Sequence, residues 1–228
     1  MWTAIALWVI NGALLAGYAY LAWRHVSAGS PAWPWIAAVP LVYFAIVFAF
    51  TAVYFAIAWV RRSPRPAGLR LDARRSWRLF RREFLALAGA VPRMLGYRAI
   101  GRDPPRAPAD SPVLLLHGVL CNAGVWRSMK RRFAAAGLGP IYTLSYGPPL
   151  ASIERFVEQT AAKVDAILDA TGAKQVSLVA HSMGGLVARA YLRRYGGAKI
   201  RRVVTIGTPH AGSAHAWMFP GVSLSQLR

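Results

Sequence analysis

The run Val176-Ser177-Leu178-Val179-Ala180-His181-Ser182-Met183-Gly184-Gly185 sets one serine between an apolar stretch and a helix-forming one. A serine hydroxyl attacks a carbonyl only when its proton has a destination and the resulting oxyanion meets fixed donors. To expose the hydroxyl at the top of a sheet, the chain must turn very tightly from strand to helix. Such a turn crowds the positions two before and two after the serine. Ala180 and Gly184 are small at those positions, His181 fills the remaining place in the turn, and Gly185 adds room. The turn also brings the N-terminus of the next helix beneath the site, where its partial positive charge favours a developing anion. Ser182 is therefore the candidate nucleophile. Upstream, His117-Gly118-Val119-Leu120 follows another apolar stretch and is suited to offer a backbone N–H from a loop. A third segment, Gly207-Thr208-Pro209-His210-Ala211-Gly212-Ser213, follows a later apolar stretch. Cys121 is the only cysteine, so no disulfide framework and no cysteine-based metal site is expected, and its plain reading is a small loop residue.

The elements that position these residues alternate. Pro112–Leu116 reads as a buried parallel strand, Val125–Ala136 as a helix closed by Gly137, and Ile141–Tyr146 as a second strand. Ser152–Ala170 reads as a long helix, with Ile153, Phe156, Val157, Ala161, Val164 and Ile167 at helical spacing and Gly172 as its stop. Val176–Ala180, Gly184–Tyr195 and Val203–Ile206 follow as strand, helix and strand. Alternation of this kind predicts an α/β fold, a mainly parallel sheet flanked by helices.

The three segments, in this order, resemble the bacterial lipase and esterase branch of the α/β-hydrolase superfamily, over residues 112–213. The resemblance implies an acyl-enzyme on Ser182, with the Val119 and Met183 amides as the oxyanion hole. It implies His117 and His181 as residues that shape the loops, and neither metal nor organic cofactor. Ala180 stands where a glycine is commoner. The implied activity is cleavage of carboxylic esters, lipids among them. Transfer of the acyl group to another acceptor, or a non-catalytic truncated hydrolase, remain open alternatives.

The family order runs serine, acid, histidine, with the last two after later strands. No Asp or Glu occurs after Asp169, and the histidines beyond the serine are His210 and His215. His210 lies in the post-strand loop, where relatives carry a structural residue. Asp165 and Asp169 fall in the helix before the nucleophile strand and read as a solvated face. The expectation is a partial α/β-hydrolase fold that stops before the acid and base, a fragment barely active alone.

Ahead of this region the chemistry changes. The chain has 228 residues, of which 56% are hydrophobic and only 16% charged, yet its formal net charge is +20. Nucleic-acid binding is disfavoured, because much of the positive charge follows an apolar segment instead of lining one folded face. Trp2–Trp23 and Trp35–Val60 are apolar runs long enough to cross a bilayer, joined by a Ser/Gly/Pro-rich turn. A cleavable leader would begin with a basic region, and no basic residue precedes Trp2. Arg61, Arg62, Arg65, Arg70, Arg74, Arg75, Arg78, Arg81 and Arg82 follow, which predicts that side to be cytoplasmic in a bacterial membrane. Ser76–Leu95 mixes these arginines with Trp77, Phe80 and Phe84, as a helix lying on anionic headgroups would, or one packed on the hydrolase domain. The expected organisation is a transmembrane hairpin over 1–62, a basic amphipathic segment and linker over 63–110, and the hydrolase portion over 111–228.

Overall fold

The structure, a computed structural model, describes residues 2–60, 71–213, 216 and 221–227. Arg61, Arg62, Arg65, Arg70 and His215 lie outside the described residues. The chain packs as two units, Leu7–Pro92 and Met1–Ala6 together with Arg93–Arg228.

The first unit is helical, with most of α1, which spans Trp2–Ser27, α2 over Trp33–Val60 and most of α3, which spans Ala73–Leu95. Among the described residues, α2 is the helix long and apolar enough to cross a membrane, with a mean hydropathy of 2.4 in its most apolar window. Its 28 residues extend about 42 Å, against a hydrocarbon core of about 30 Å. Near the turn, the Tyr18 hydroxyl donates to the Trp35 carbonyl and His25 stacks on Trp35. The apolar stripe of α3 packs on α2. Phe80 meets Phe48 and Phe55, each at 5.2 Å between ring centroids, and Phe84 meets Phe44 at 6.2 Å. Tyr43 adds a hydrogen bond to the Ala88 carbonyl at 2.6 Å. Within its unit the aromatic face of this helix is taken by α2. Arg74, Arg75, Arg78, Arg81 and Arg82 all remain exposed.

The second unit is a four-stranded parallel sheet in the order β2-β1-β3-β4. Its strands are β1 Val113–Leu116, β2 Ile141–Leu144, β3 Val176–His181 and β4 Ile200–Ile206. Val113 is level with Ile141 on one side and Ser177 on the other, and Ala180 faces Leu116 and Thr205. All four residues of β1 are buried, as a central parallel strand requires. Alternation divides them between two cores. Leu114 and Leu116 pack with Leu178 against Phe156 and Ile167 of α6 (Ile153–Thr171) and Val187 of α7 (Met183–Tyr195). Val113 and Leu115 pack with Val179 against Trp126, at the end of the 3-10 turn Ala123–Trp126, and against α5 (Arg127–Ala135).

Most element boundaries agree with the sequence reading to within two residues. Three differ by more: α1 runs four residues past the expected Trp23, α3 starts three before the expected Ser76, and β4 starts three residues earlier than expected, because Arg201 and Arg202 are exposed and interrupt the apolar signal. The linker end of the 63–110 segment includes the short helix α4 (Tyr97–Ile100) and is then strapped to the unit. The Lys130 ammonium donates to the carbonyls of Ile100 and Arg102 at 2.8 and 3.2 Å. Lys163 pairs with Asp103 at 2.5 Å, Arg106 with Asp169, and the Ala109 amide donates to the Thr171 carbonyl. A last short helix, α8 (Val222–Ser225), seats Leu224 in the larger core.

Candidate active site

The strand order reverses direction between β1 and β3, since β2 lies on one side of β1 and β3 on the other. In an open parallel sheet the loops at the carboxyl ends of such neighbours diverge and leave a crevice. The loop after β1 begins at His117, and the turn after β3 holds Ser182. The first two segments singled out in the sequence therefore meet where, among the described residues, the topology opens a crevice.

Ser182 has φ 54° and ψ −128°, left-handed backbone that a side-chain-bearing residue rarely occupies. Such a conformation costs of order 1–3 kcal/mol and persists only where the surroundings enforce it. The enforcing contacts are backbone. The Ser182 amide donates to the Ile206 carbonyl at 2.9 Å, and its carbonyl accepts from Gly185 at 3.0 Å. A Cβ on Gly184 would sit 2.5 Å from the Leu116 carbonyl oxygen and 2.7 Å from that of His117. A Cβ on Gly185 would collide with the Thr208 hydroxyl. Ala180 is fully buried in the register directly behind the turn. The size restrictions read from the sequence thus correspond to specific neighbours. The Ser182 side chain is half-buried and faces the first loop: a Cβ on Gly118 would lie 2.9 Å from Ser182 Cβ and 3.3 Å from its Oγ.

Met183 opens α7, where an amide has no carbonyl one turn earlier to accept its proton. Its own side chain is buried in the core. Val119 is half-buried in the turn after Gly118, and the next residue, Leu120, also has positive φ at 53°. His181 is exposed and lies edge-on to Trp126 at 6.4 Å.

His117 is buried, and its Nδ1 donates to the Gly118 carbonyl at 2.8 Å. Its ring stacks on Tyr146 at 4.1 Å, and the Tyr146 hydroxyl donates to the His117 carbonyl. Burial lowers the His117 pKa to about 4, so the imidazole is neutral at ordinary pH and braces the loop. Burial also pushes the Cys121 thiol up to about 11, which keeps it protonated and unsuited to nucleophilic work. His210 has Arg189 at 3.0 Å from Nδ1 and Thr205 at 3.3 Å from Nε2. Since a guanidinium can only donate, Nδ1 accepts and Nε2 carries the proton. Asp165 and Asp169 pair with Lys199 and Arg106 on an exposed face, in keeping with the solvated role read for them. Among the described residues no cluster of metal ligands occurs. Tyr146 was not singled out for the site by the sequence, and Thr208 was named only as part of the third segment; their contacts lie across the sheet, where no local pattern encodes them.

Comparison with known proteins places the fold. A triacylglycerol lipase of Pseudarthrobacter phenanthrenivorans is 48% identical over 59 residues, covering 26% of this chain and 18% of its own length. A triacylglycerol lipase of Vibrio cholerae is 32% identical over 116 residues, covering 49% of this chain and 36% of its own. The chain thus spans well under half the length of these curated relatives. Among solved structures, the mature form of the lipase BlEst2 of Bacillus licheniformis superposes with a TM-score of 0.49 at 23% identity, covering 55% of this chain and 58% of that one. The family model described as the alpha/beta hydrolase fold matches residues 111–227, just over half of the chain and the whole stretch that carries the sheet and the strained serine. The chain belongs to the alpha/beta hydrolase fold family.

Proposed function

We propose that this chain is the nucleophile-bearing part of a membrane-anchored serine hydrolase that cleaves carboxylic esters, lipid-derived esters foremost. The observation that carries the reading is the left-handed Ser182 at the β3–α7 junction, held against Gly118 of the loop after β1. In the proposed reaction Ser182 Oγ bonds to the ester carbonyl carbon as its proton passes to a histidine base. The carbonyl oxygen, now negative, is received by the Val119 and Met183 amides. Collapse expels the alcohol, which takes the proton, and leaves an acyl-enzyme. Water then attacks the same carbon, and the carboxylic acid departs with Ser182 restored. His117 is not assigned as that base, being buried and bonded within its own loop, and His210 is engaged by Arg189 and Thr205.

The lipid preference rests on the triacylglycerol lipases that the chain resembles and on the apolar α2. We place α1 and α2 across a bacterial cytoplasmic membrane. The hydrolase portion then lies on the cytoplasmic side, with the exposed arginines of α3 facing anionic headgroups. No metal or organic cofactor enters the proposed reaction.

The test is hydrolysis of p-nitrophenyl esters of graded chain length by the intact protein in vesicles. The reading predicts turnover that Ser182→Ala lowers by about four orders of magnitude or more. Ester cleavage that survives Ser182→Ala, or none with any acyl length, would overturn it.

A further inference from the structure

The loop that carries Val119 is free of secondary structure between His117 and Asn122, so something outside it must fix the Val119 amide in place. An oxyanion donor a few tenths of an ångström out of position loses much of its worth, because the charge it meets exists only in the transition state. At its upstream foot the loop is held by the end of β1 and by the Tyr146 hydroxyl on the His117 carbonyl. The downstream foot is Asn122, which is 1% exposed. Its Oδ1 accepts from the Gly124 amide at 2.9 Å and opens the 3-10 turn Ala123–Trp126. Its Nδ2 donates at 3.0 Å to the carbonyl of Met94, in the last turn of α3. Gly124 lies flat on the same turn: a Cβ there would collide with the Arg93 carbonyl and reach 2.7 Å from Met94 Cα. The neighbouring Ala123 amide is held by Ser145 Oγ at 2.9 Å.

We infer that Asn122 is a positioning residue for the oxyanion loop, fixing the Val119 amide by tying the loop's downstream end to the last turn of α3. The inference rests on the assignment of Val119 as an oxyanion donor. The amide serves the two sides from separate atoms, Nδ2 donating to the Met94 carbonyl and Oδ1 accepting from the Gly124 N–H, a reach that a single short hydroxyl does not have. Aspartate keeps the acceptor and loses the donor; alanine loses both. Serine keeps a short acceptor for the turn and leaves the Met94 carbonyl unmatched.

The experiment measures ester hydrolysis by the intact protein and its Asn122→Ala, Asn122→Asp and Asn122→Ser variants, normalised to the sites titrated by a fluorophosphonate. Expected are a kcat reduced about tenfold to a hundredfold in the alanine and aspartate variants, with KM within about twofold, and a smaller fall in the serine variant. If the alanine variant does not fold, the serine variant carries the test with the same kcat-against-KM split. An unchanged kcat per titrated site, or a fall matched by an equal rise in KM, overturns the inference while leaving Ser182 as nucleophile. A wild-type protein whose turnover is independent of Ser182 overturns the parent reading and this inference with it.

Discussion

Ser182 occupies strained backbone, and if the strain serves the proposed nucleophile, stability and chemistry should separate when it is replaced. Ser182→Gly removes the left-handed penalty but adds freedom to the unfolded chain, so a net gain of about 1 kcal/mol is expected with no turnover. Thermal or denaturant unfolding checks this; a destabilised glycine variant would show that the turn is not strained. Gly184→Ala does the opposite, pressing a methyl onto the Leu116 and His117 carbonyls. These are backbone atoms that cannot step aside, and a loss of about 1–3 kcal/mol together with most activity is expected in the same assays. His117 links the site to pH. Its folded pKa is about 4 against an ordinary value of 6.5, so the unfolded chain takes the proton more readily. Its contribution is fully present above pH 6.5 and is lost as pH falls toward 4, a change of about 3 kcal/mol. Stability of wild type relative to His117→Gln, followed by denaturant titration from pH 7 to 4, should decline across that window. A flat difference would mean that the imidazole is not desolvated.

At the scale of elements, legibility followed where burial is local. β1 and β3 are central strands buried on both faces, so each announces itself as an apolar run, and α6 carries Ser152 and Gly172 as side-chain and left-handed caps at its two ends. The serine turn was legible for the same reason: its size limits fall on near neighbours in sequence. What escaped depends on distant partners. The opening of β4 is hidden by Arg201 and Arg202, and the Gln226 side chain completes the N-terminus of α6 by accepting from the Ile153 amide, from 73 residues away. The aromatic seam between α2 and α3 was equally invisible, because an amphipathic helix does not declare what covers its apolar face. That seam yields a prediction. In a Cys121→Ser background, Phe48→Cys paired with Phe80→Cys should be joined by a short bismaleimide, given rings 5.2 Å apart. Phe48→Cys paired with Trp77→Cys should react less. Equal or absent cross-linking of both pairs would contradict the packing.

At the scale of the whole molecule, a charge of +20 on a chain that is 56% hydrophobic makes sense if two environments are served by one polypeptide. On the proposed reading, the exposed arginines of α3 answer to a charged surface, and the sheet unit answers to a carbonyl that must be reached by a serine. The membrane side of the account predicts that a fluorescent protein fused after residue 75 glows and an alkaline phosphatase fused there is silent; the reverse would invert the orientation. The catalytic side is tested most directly by treating the intact protein in its membrane with a fluorophosphonate and mapping the modified peptide by mass spectrometry. The account predicts a single adduct on Ser182, absent from Ser182→Ala and formed more slowly when Val119 is replaced by proline, which has no N–H to donate. An adduct on any other residue, or none in a preparation that still cleaves esters, would contradict it.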